Sequence, residues 1–537
     1  MDDRTGLLDR PLPWSRILAI AGALLFIPFI GGVHLFDWDE INFAEISREM
    51  IATGDYLSIQ VNYKSFFEKP PFFMWLQVLS MKAFGINEFA ARLPNAIAGM
   101  ITLVLLYRIG RHWLGQRFGA LWALMYLGAV LPTLYHKSGI IDPWFNLFIF
   151  GGLMAWTKGA LTNPAVKWFV LSGLLSGMAV LTKGPVGPLL IGLAVIGQRI
   201  VTRDGRYLPL AGWLQFMLGN IIIAGLWFGV NWMSNGPDWI LSFLRYQVEL
   251  LTESVAGHKG FPGYHFVVAL LGIFPASLFA LGGMFSRDTV TDSTRRDLRR
   301  LMIVLLVVVL VLFSIVQSKI VHYSSMAYYP VAFLAACMID GMLDDRRRMP
   351  AWIKVVSGAV ALLVVSLIWL FPIAGMNIHR LPELAKVDAF TAKAITAPVN
   401  WGIMDLVPAV WLTLLLAVAF MFWKKKRKHL AVVILSGGMA IWVNLALIFF
   451  IGKVERYTQY AAVEFCASKA GQAVTITPVG YKSYLPFFYA KKPAPGTQPM
   501  TGEEYFILRE DKRKRMEQMP DVEILYERHG YIFLQKK

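Results

Sequence analysis

Two cysteines, Cys337 and Cys466, are all that this 537-residue chain contains, one in an apolar stretch and one in the polar tail, so a disulfide framework is excluded. Charge is scarce as well: Asp, Glu, Lys and Arg make up 16% of the residues, where a soluble chain carries about a quarter. There is no glycine-rich phosphate loop, no metal-finger spacing and no internal repeat. Nucleotide-dependent enzymes of the phosphate-loop kind, zinc fingers and solenoids are therefore set aside. What is present is apolar: 56% of the residues, with a mean hydropathy of +0.52. That composition describes an α-helical protein that crosses the membrane many times.

Apolar runs of roughly 17–25 residues match the thickness of a bilayer core. Thirteen such runs occur, near 15–35, 93–113, 118–136, 142–158, 168–182, 185–201, 210–233, 264–285, 301–316, 323–343, 352–373, 405–423 and 430–451. The first is too long for a removable signal peptide and lacks a small-residue cleavage site, so it reads as a signal anchor. The net charge of +17 gathers in every second loop, for example Arg199, Arg203 and Arg206, Arg346-Arg347-Arg348, and Lys424 to Lys428. This is the positive-inside pattern; it predicts a cytoplasmic N-terminus and, after an odd number of spans, an outer C-terminal tail. The basic clusters then serve topology and membrane-lipid contact, not nucleic acid.

Two parts follow: a transmembrane domain over 1–452 and a small soluble α/β domain over 453–537. In the latter, Val454–Lys469 reads as a helix, and Ala473–Val479 and Tyr505–Leu508 as strands. Glu523–Tyr526 and Tyr531–Gln535 read as a hairpin around His529-Gly530. The first outer loop, 37–91, is too long for a connector. Asp39–Ala52 has helical periodicity closed by Gly54, and Pro71–Phe84 is a second interfacial helix too short to span. The polar segment 374–404 holds a helical stretch over Pro382–Thr396.

The predicted topology brings Asp39, Glu40, Glu68, Lys69, Asp142, Lys183, His258, Lys319 and Tyr323 to one outer face, from six separate segments. Ionisable groups of mixed sign are costly at a lipid boundary, and such a set marks a polar cavity. Asp39 and Glu40 are candidate catalytic carboxylates, although the dipole of the helix they open accounts for acidic residues there too. Lys69 and Lys183 are candidates for an anionic phosphate, as are Lys319 and Tyr323, with simple interfacial anchoring as the alternative. Asp142 opens a span, where helix capping is its ordinary role. Glu68 and His258 are residue types that suit zinc, but two ligands do not make a site.

These residues carry a resemblance. Asp39-Glu40-Ile41-Asn42-Phe43-Ala44-Glu45-Ile46-Ser47-Arg48-Glu49-Met50 with Gly54-Asp55 resembles the first-loop signature of bacterial polyprenyl-phosphate-sugar-dependent glycosyltransferases. That family includes the lipid A 4-amino-4-deoxy-L-arabinose transferases and is related to the protein O-mannosyltransferases. Glu68-Lys69-Pro70-Pro71 with Trp75, Ala91-Arg92-Leu93-Pro94, Asp142, Leu181-Thr182-Lys183-Gly184-Pro185, His258 with Pro262, and Ser318-Lys319 with Tyr323 continue it over about 15–345. The resemblance implies a GT-C membrane fold in a bacterial inner membrane, with the C-terminal domain periplasmic. It implies sugar transfer from a polyprenyl (undecaprenyl) phosphate to lipid A, another glycolipid or a protein hydroxyl. Asp39 would be the catalytic carboxylate, Lys69 and Lys319 would lie near the lipid phosphate, and Glu68 with His258 could hold one zinc ion. No nucleotide cofactor is implied. Asn42-Phe43 stand where the family has Arg-Tyr, and Phe66 where it often has Tyr, so the resemblance is not carried to one sugar or one acceptor. A transporter of lipid-linked sugars is the alternative, disfavoured because transporters gather charge at the midplane of repeated halves.

Overall fold

The structure, a computed structural model, describes residues 6–161, 166–252, 260–285, 293–380, 386–497, 502–519 and 521–537. The first half runs α1 (Trp14–Phe26), α2 (Asp39–Thr53), α3 (Phe72–Phe84), α4 (Glu88–Leu114), α5 (Gln116–Leu127), α6 (Val130–Tyr135), α7 (Asp142–Leu161), α8 (Val166–Lys183) and α9 (Val186–Thr202). It continues through α10 (Leu210–Asn235), α11 (Asp238–Thr252), α12 (Tyr264–Gly272), α13 (Ala276–Phe285), α14 (Ser293–Ile315), α15 (Tyr328–Leu343) and α16 (Ala351–Met376). Two more long helices follow, Val407–Lys424 and Lys428–Ala446.

Every apolar run of the sequence contains a helix, but the runs are unequal. Among the described residues eight helices are long and apolar enough to cross a bilayer, or nine if one bent pair counts as a single span. The run at 264–285 bends by 113° between α12 and α13, where Pro275 lacks the N–H that would continue the ladder. The run at 118–136 breaks at Gly128-Ala129 into α5 and α6, and α1 and α9 are short. Apolar composition sets which segments are buried in lipid or protein; it does not encode a bend inside one of them.

Close helix contact rests on glycine. Gly173 of α8 faces the Phe216 carbonyl of α10, and Gly219 of α10 faces the Val170 carbonyl of α8, each too near for a Cβ. Small residues let backbones meet in this way where no water drives association. α15 is buried on almost every side, against α5, α13 and α14. At the end away from the C-terminal domain its Asp340 accepts from Arg117 and pairs with Arg295, each at 2.8 Å. Two residues of the basic loops thus also clamp helices together.

The first loop folds as expected. α2 starts at Asp39 and ends where Gly54, at φ 75°, returns its N–H to the Met50 carbonyl at 3.0 Å. Between α2 and α3 a hairpin of β1 (Gln60–Val61) and β2 (Lys64–Ser65) turns through Asn62 and Tyr63, both at positive φ as a two-residue primed turn requires. The division at 452/453 falls inside a continuous helix: Lys428–Ala446 passes through a π-helical turn, Leu447–Ile451, into Gly452–Thr458. The predicted helix over Val454–Lys469 is accordingly two, broken at Gln459 before Tyr460–Ser468. Beyond it stands a four-stranded sheet of β3 (Thr475–Val479), β4 (Glu504–Arg509), β5 (Val522–Arg528) and β6 (Tyr531–Lys536) in the order β3-β4-β6-β5. β3 runs parallel to β4 and the other pairs are antiparallel, with the expected hairpin at His529-Gly530. Part of the helical stretch predicted at Pro382–Thr396 lies outside the described residues; the rest forms a helix at Ala389–Ala394.

Candidate active site

The loop that carries Asp39 is anchored by its neighbour. Glu40 is buried and takes both prongs of the Arg92 guanidinium, Nε to Oε1 at 2.9 Å and Nη2 to Oε2 at 2.8 Å. It also accepts from the backbone N–H of Phe36 at 2.9 Å and of Gly139. The same guanidinium donates to the carbonyls of Ile30, Val33 and His34 at 2.7 to 2.9 Å, so Arg92 ties α4 to the end of α1 and the start of α2. Burial alone would raise Glu40; Arg92 overcomes it and holds the carboxyl below its ordinary range. Its oxygens are all committed, so Glu40 is corrected from a catalytic candidate to the residue that fixes the loop. On the far side of α2, Arg48 grips Glu45 at 2.7 and 2.8 Å. Burial and Glu45 push the adjacent Glu49 up to about 8, which keeps it protonated at neutral pH.

Above this floor opens a cavity of about 710 Å³. Asp39, Glu40, Glu68, Lys69, Asp142, Lys183 and Tyr323 line it, so seven of the nine residues singled out in the sequence meet there. Asp39 is the most open of the carboxylates, its side chain 41% exposed. His322 Nε2 sits 3.5 Å from Asp39 Oδ2 and 3.9 Å from Asp142 Oδ2. Asp142, the first residue of α7, accepts from Lys183 Nζ at 2.6 Å, and that ammonium lies 5.0 Å from the centre of the Tyr323 ring. Lys69 stands 5.1 Å from the Tyr246 ring centre, and Tyr246 donates its hydroxyl to Glu68 Oε2 at 3.0 Å. Removal from water draws the Lys69 pKa down, against the pull of Glu68 and Asp39. The membrane-facing wall is apolar, built from Phe145, Val186, Leu190, Phe313, Val316 and Ile320.

Two expectations fare differently. Lys319 does not line the cavity; its ammonium donates to the carbonyls of Phe313, Ser314 and Val316, closing the C-terminal end of α14. A lysine just past a long apolar run is a helix-terminus signal, and here it acts as one. His258 lies outside the described residues. Among the described residues no group of three His, Cys, Asp or Glu side chains is placed to hold a metal ion, and the other face of Glu68 meets Lys482 Nζ at 3.8 Å.

The residues that the sequence did not mark are His322, Tyr246 and Lys482; Arg92 stood in a quoted motif without a role. His322 directly precedes Tyr323, the only local clue to it. Lys482 and Tyr484 reach the cavity from the C-terminal domain. Asp37 accepts from the Tyr484 backbone N–H at 3.1 Å, and burial pushes its carboxyl up to about 6 against the bonds from Ser483 and Tyr484. A carboxyl whose folded pKa lies above its unfolded value of 3.8 favours the folded state increasingly as pH falls from 6 towards 4. The neutral variant Asp37→Asn is therefore expected to gain thermal stability over the wild type above pH 6. That gain should shrink to nothing near pH 4, as unfolding midpoints measured across the range would show.

A family model described as dolichyl-phosphate-mannose-protein mannosyltransferase matches residues 68–224. The undecaprenyl phosphate-alpha-4-amino-4-deoxy-L-arabinose arabinosyl transferase of Pectobacterium atrosepticum is 26% identical over 360 residues, 66% of this chain and 64% of that protein. The protein of the same name from Edwardsiella ictaluri is 27% identical over 381 residues, 69% of this chain and 68% of its own. The match thus spans just under two thirds of the Pectobacterium relative's length. Among solved structures, ArnT from Cupriavidus metallidurans bound to undecaprenyl phosphate superposes with a TM-score of 0.77 at 20% identity, over 98% of both chains. In the apo state the score is 0.73. The chain has that fold, and it resembles the GT-C glycosyltransferases that use polyprenyl-phosphate sugars.

Proposed function

We propose that this protein is a membrane glycosyltransferase that moves a sugar from a polyprenyl phosphate carrier, undecaprenyl phosphate in a bacterium, to an envelope acceptor. Lipid A, another glycolipid or a protein hydroxyl is the acceptor, and the reaction takes place at the periplasmic face of the inner membrane. The observation that carries this reading is one cavity in which two lysines and an open carboxylate lie against an apolar wall. A carrier lipid needs that wall for its chain and cations for its phosphate, and a reaction at the anomeric carbon needs a base beside them.

The chemistry follows from the placement. The acceptor oxygen attacks the anomeric carbon on the face opposite the carrier and the bond from that carbon to the carrier phosphate breaks, so configuration inverts. Asp39 accepts the proton of a hydroxyl acceptor; with an acceptor that is already an anionic phosphate it orients the nucleophile and supports the oxocarbenium-like sugar. The leaving group is a phosphate monoester whose charge grows as the bond lengthens. Lys69 and Lys183, with the Tyr323 and Tyr246 hydroxyls nearby, neutralise it where little water competes. Asp142 aims Lys183, and the His322 imidazole lies between Asp39 and Asp142, at 3.5 and 3.9 Å from their carboxylates.

Lys69→Gln and Lys183→Gln are each expected to weaken binding of polyprenyl phosphate by about tenfold or more, the worth of one charge-assisted contact. Titration of the purified variants with the carrier phosphate measures this. Wild-type affinity in both variants would remove the lysines from the phosphate site and with them the proposed orientation of the donor.

A further inference from the structure

The segment 482–484 of the C-terminal domain is gripped by the residues that directly precede Asp39. The Asp37 carboxylate accepts from the Tyr484 backbone N–H at 3.1 Å, and the Trp38 indole Nε1–H donates to the Lys482 carbonyl at 2.9 Å. This mounting also fixes the Lys482 side chain. Its ammonium lies 5.2 Å from the ring centres of both Trp38 and Tyr484, and 3.8 Å from Glu68 Oε1. A lysine kept only for solubility has no reason to surrender its rotamer freedom between two rings. Lys482 remains 53% exposed, so its ammonium is held in place and still open to a ligand.

The cations of the cavity fall into two stations. Lys69 and Lys183 come from the membrane domain and sit with Tyr246, Tyr323 and Phe145, on the side that receives the carrier. Lys482 comes from the C-terminal domain and shares its surroundings with the residues next to Asp39, with Glu68 standing between it and the Tyr246–Lys69 pair. A donor with a single phosphate uses the first station. The second faces whatever approaches Asp39 from the side the carrier leaves free.

We propose that Lys482 is a specificity-determining residue of the acceptor site, donating hydrogen bonds to acceptor oxygens as the nucleophile reaches Asp39, so that the C-terminal domain forms part of the active site. The proposal rests on the glycosyltransferase reading above. Its test uses the purified full-length protein with a radiolabelled polyprenyl-phosphate sugar as donor and the detergent-solubilised envelope fraction of a strain lacking the protein as acceptor. In Lys482→Gln the half-saturating acceptor concentration should rise about tenfold, the worth of one charge-assisted contact, while the donor KM and the maximal rate stay within about twofold. Lys482→Arg, which keeps the charge, should recover most of the loss. An unchanged acceptor dependence in Lys482→Gln overturns the proposal. So does a parallel loss for donor and acceptor, which would mean that Lys482 only supports the fold. A wild-type protein that turns over no donor at all overturns the glycosyltransferase reading itself, and this proposal with it.

Discussion

Asp39→Asn is expected to lower sugar transfer by about 10²–10⁴-fold, the range for loss of a positioned general base. The substitution keeps the size of the side chain and removes its ability to take a proton. It should cost little in stability, because Asp39 is 41% exposed and its contact with the His322 imidazole is long, at 3.5 Å. The variant should therefore melt near the wild-type temperature and bind polyprenyl phosphate as before, since Lys69 and Lys183 are untouched. Single-turnover measurement with pre-bound donor separates the chemical step from binding. Near-normal turnover would remove Asp39 from the mechanism.

Arg92→Ala should have the opposite signature, a large loss of stability. It strips one guanidinium from Glu40 and from three backbone carbonyls, all in a buried setting. Removing one partner of a buried pair costs about 3–5 kcal/mol, because the remaining charge is left in low dielectric without compensation. The first loop would lose its tie to α4, so activity should fall with folding and not ahead of it. Glu40→Gln keeps the shape but leaves the buried guanidinium of Arg92 without its carboxylate, and should also lower stability, by less because Arg92 keeps its three carbonyl acceptors. Thermal unfolding in detergent measures both, and an unchanged midpoint in Arg92→Ala would mean that the loop is held by other means.

The contrast between Asp39 and Glu40 shows where sequence reasoning stops. Both are acidic, adjacent and at the start of one helix, and nothing local separates a base from an anchor. Successive helical residues point about 100° apart, so Asp39 stays open in the cavity while Glu40 is buried against Arg92 at its floor. The partner that settles the role of Glu40 lies 52 residues away. Lys482 is more distant still, 444 residues from Trp38, whose indole N–H donates to its carbonyl. Contacts of that range leave no periodicity to read.

What was readable was local or compositional. The membrane class followed from apolar content, the limits of α2 from its acidic start and Gly54, and the last hairpin from His529-Gly530. Seven of the nine cavity candidates came together because charge at a lipid boundary is costly enough to be visible in a sequence. Lys319 was misleading for the same physical reason: a lysine ending an apolar run can serve a ligand or a helix terminus, and only the carbonyls around it decide. The bend between α12 and α13 was not readable, because it leaves the apolar composition of the run unchanged.

The most direct test of the account is release of free polyprenyl phosphate by the purified protein from a radiolabelled polyprenyl-phosphate sugar, with and without the solubilised envelope fraction. The account predicts release that depends on the acceptor, with the label appearing in an envelope component and none of this in Asp39→Asn. Donor that is bound but never cleaved, or merely moved across the bilayer of a reconstituted vesicle, would contradict it.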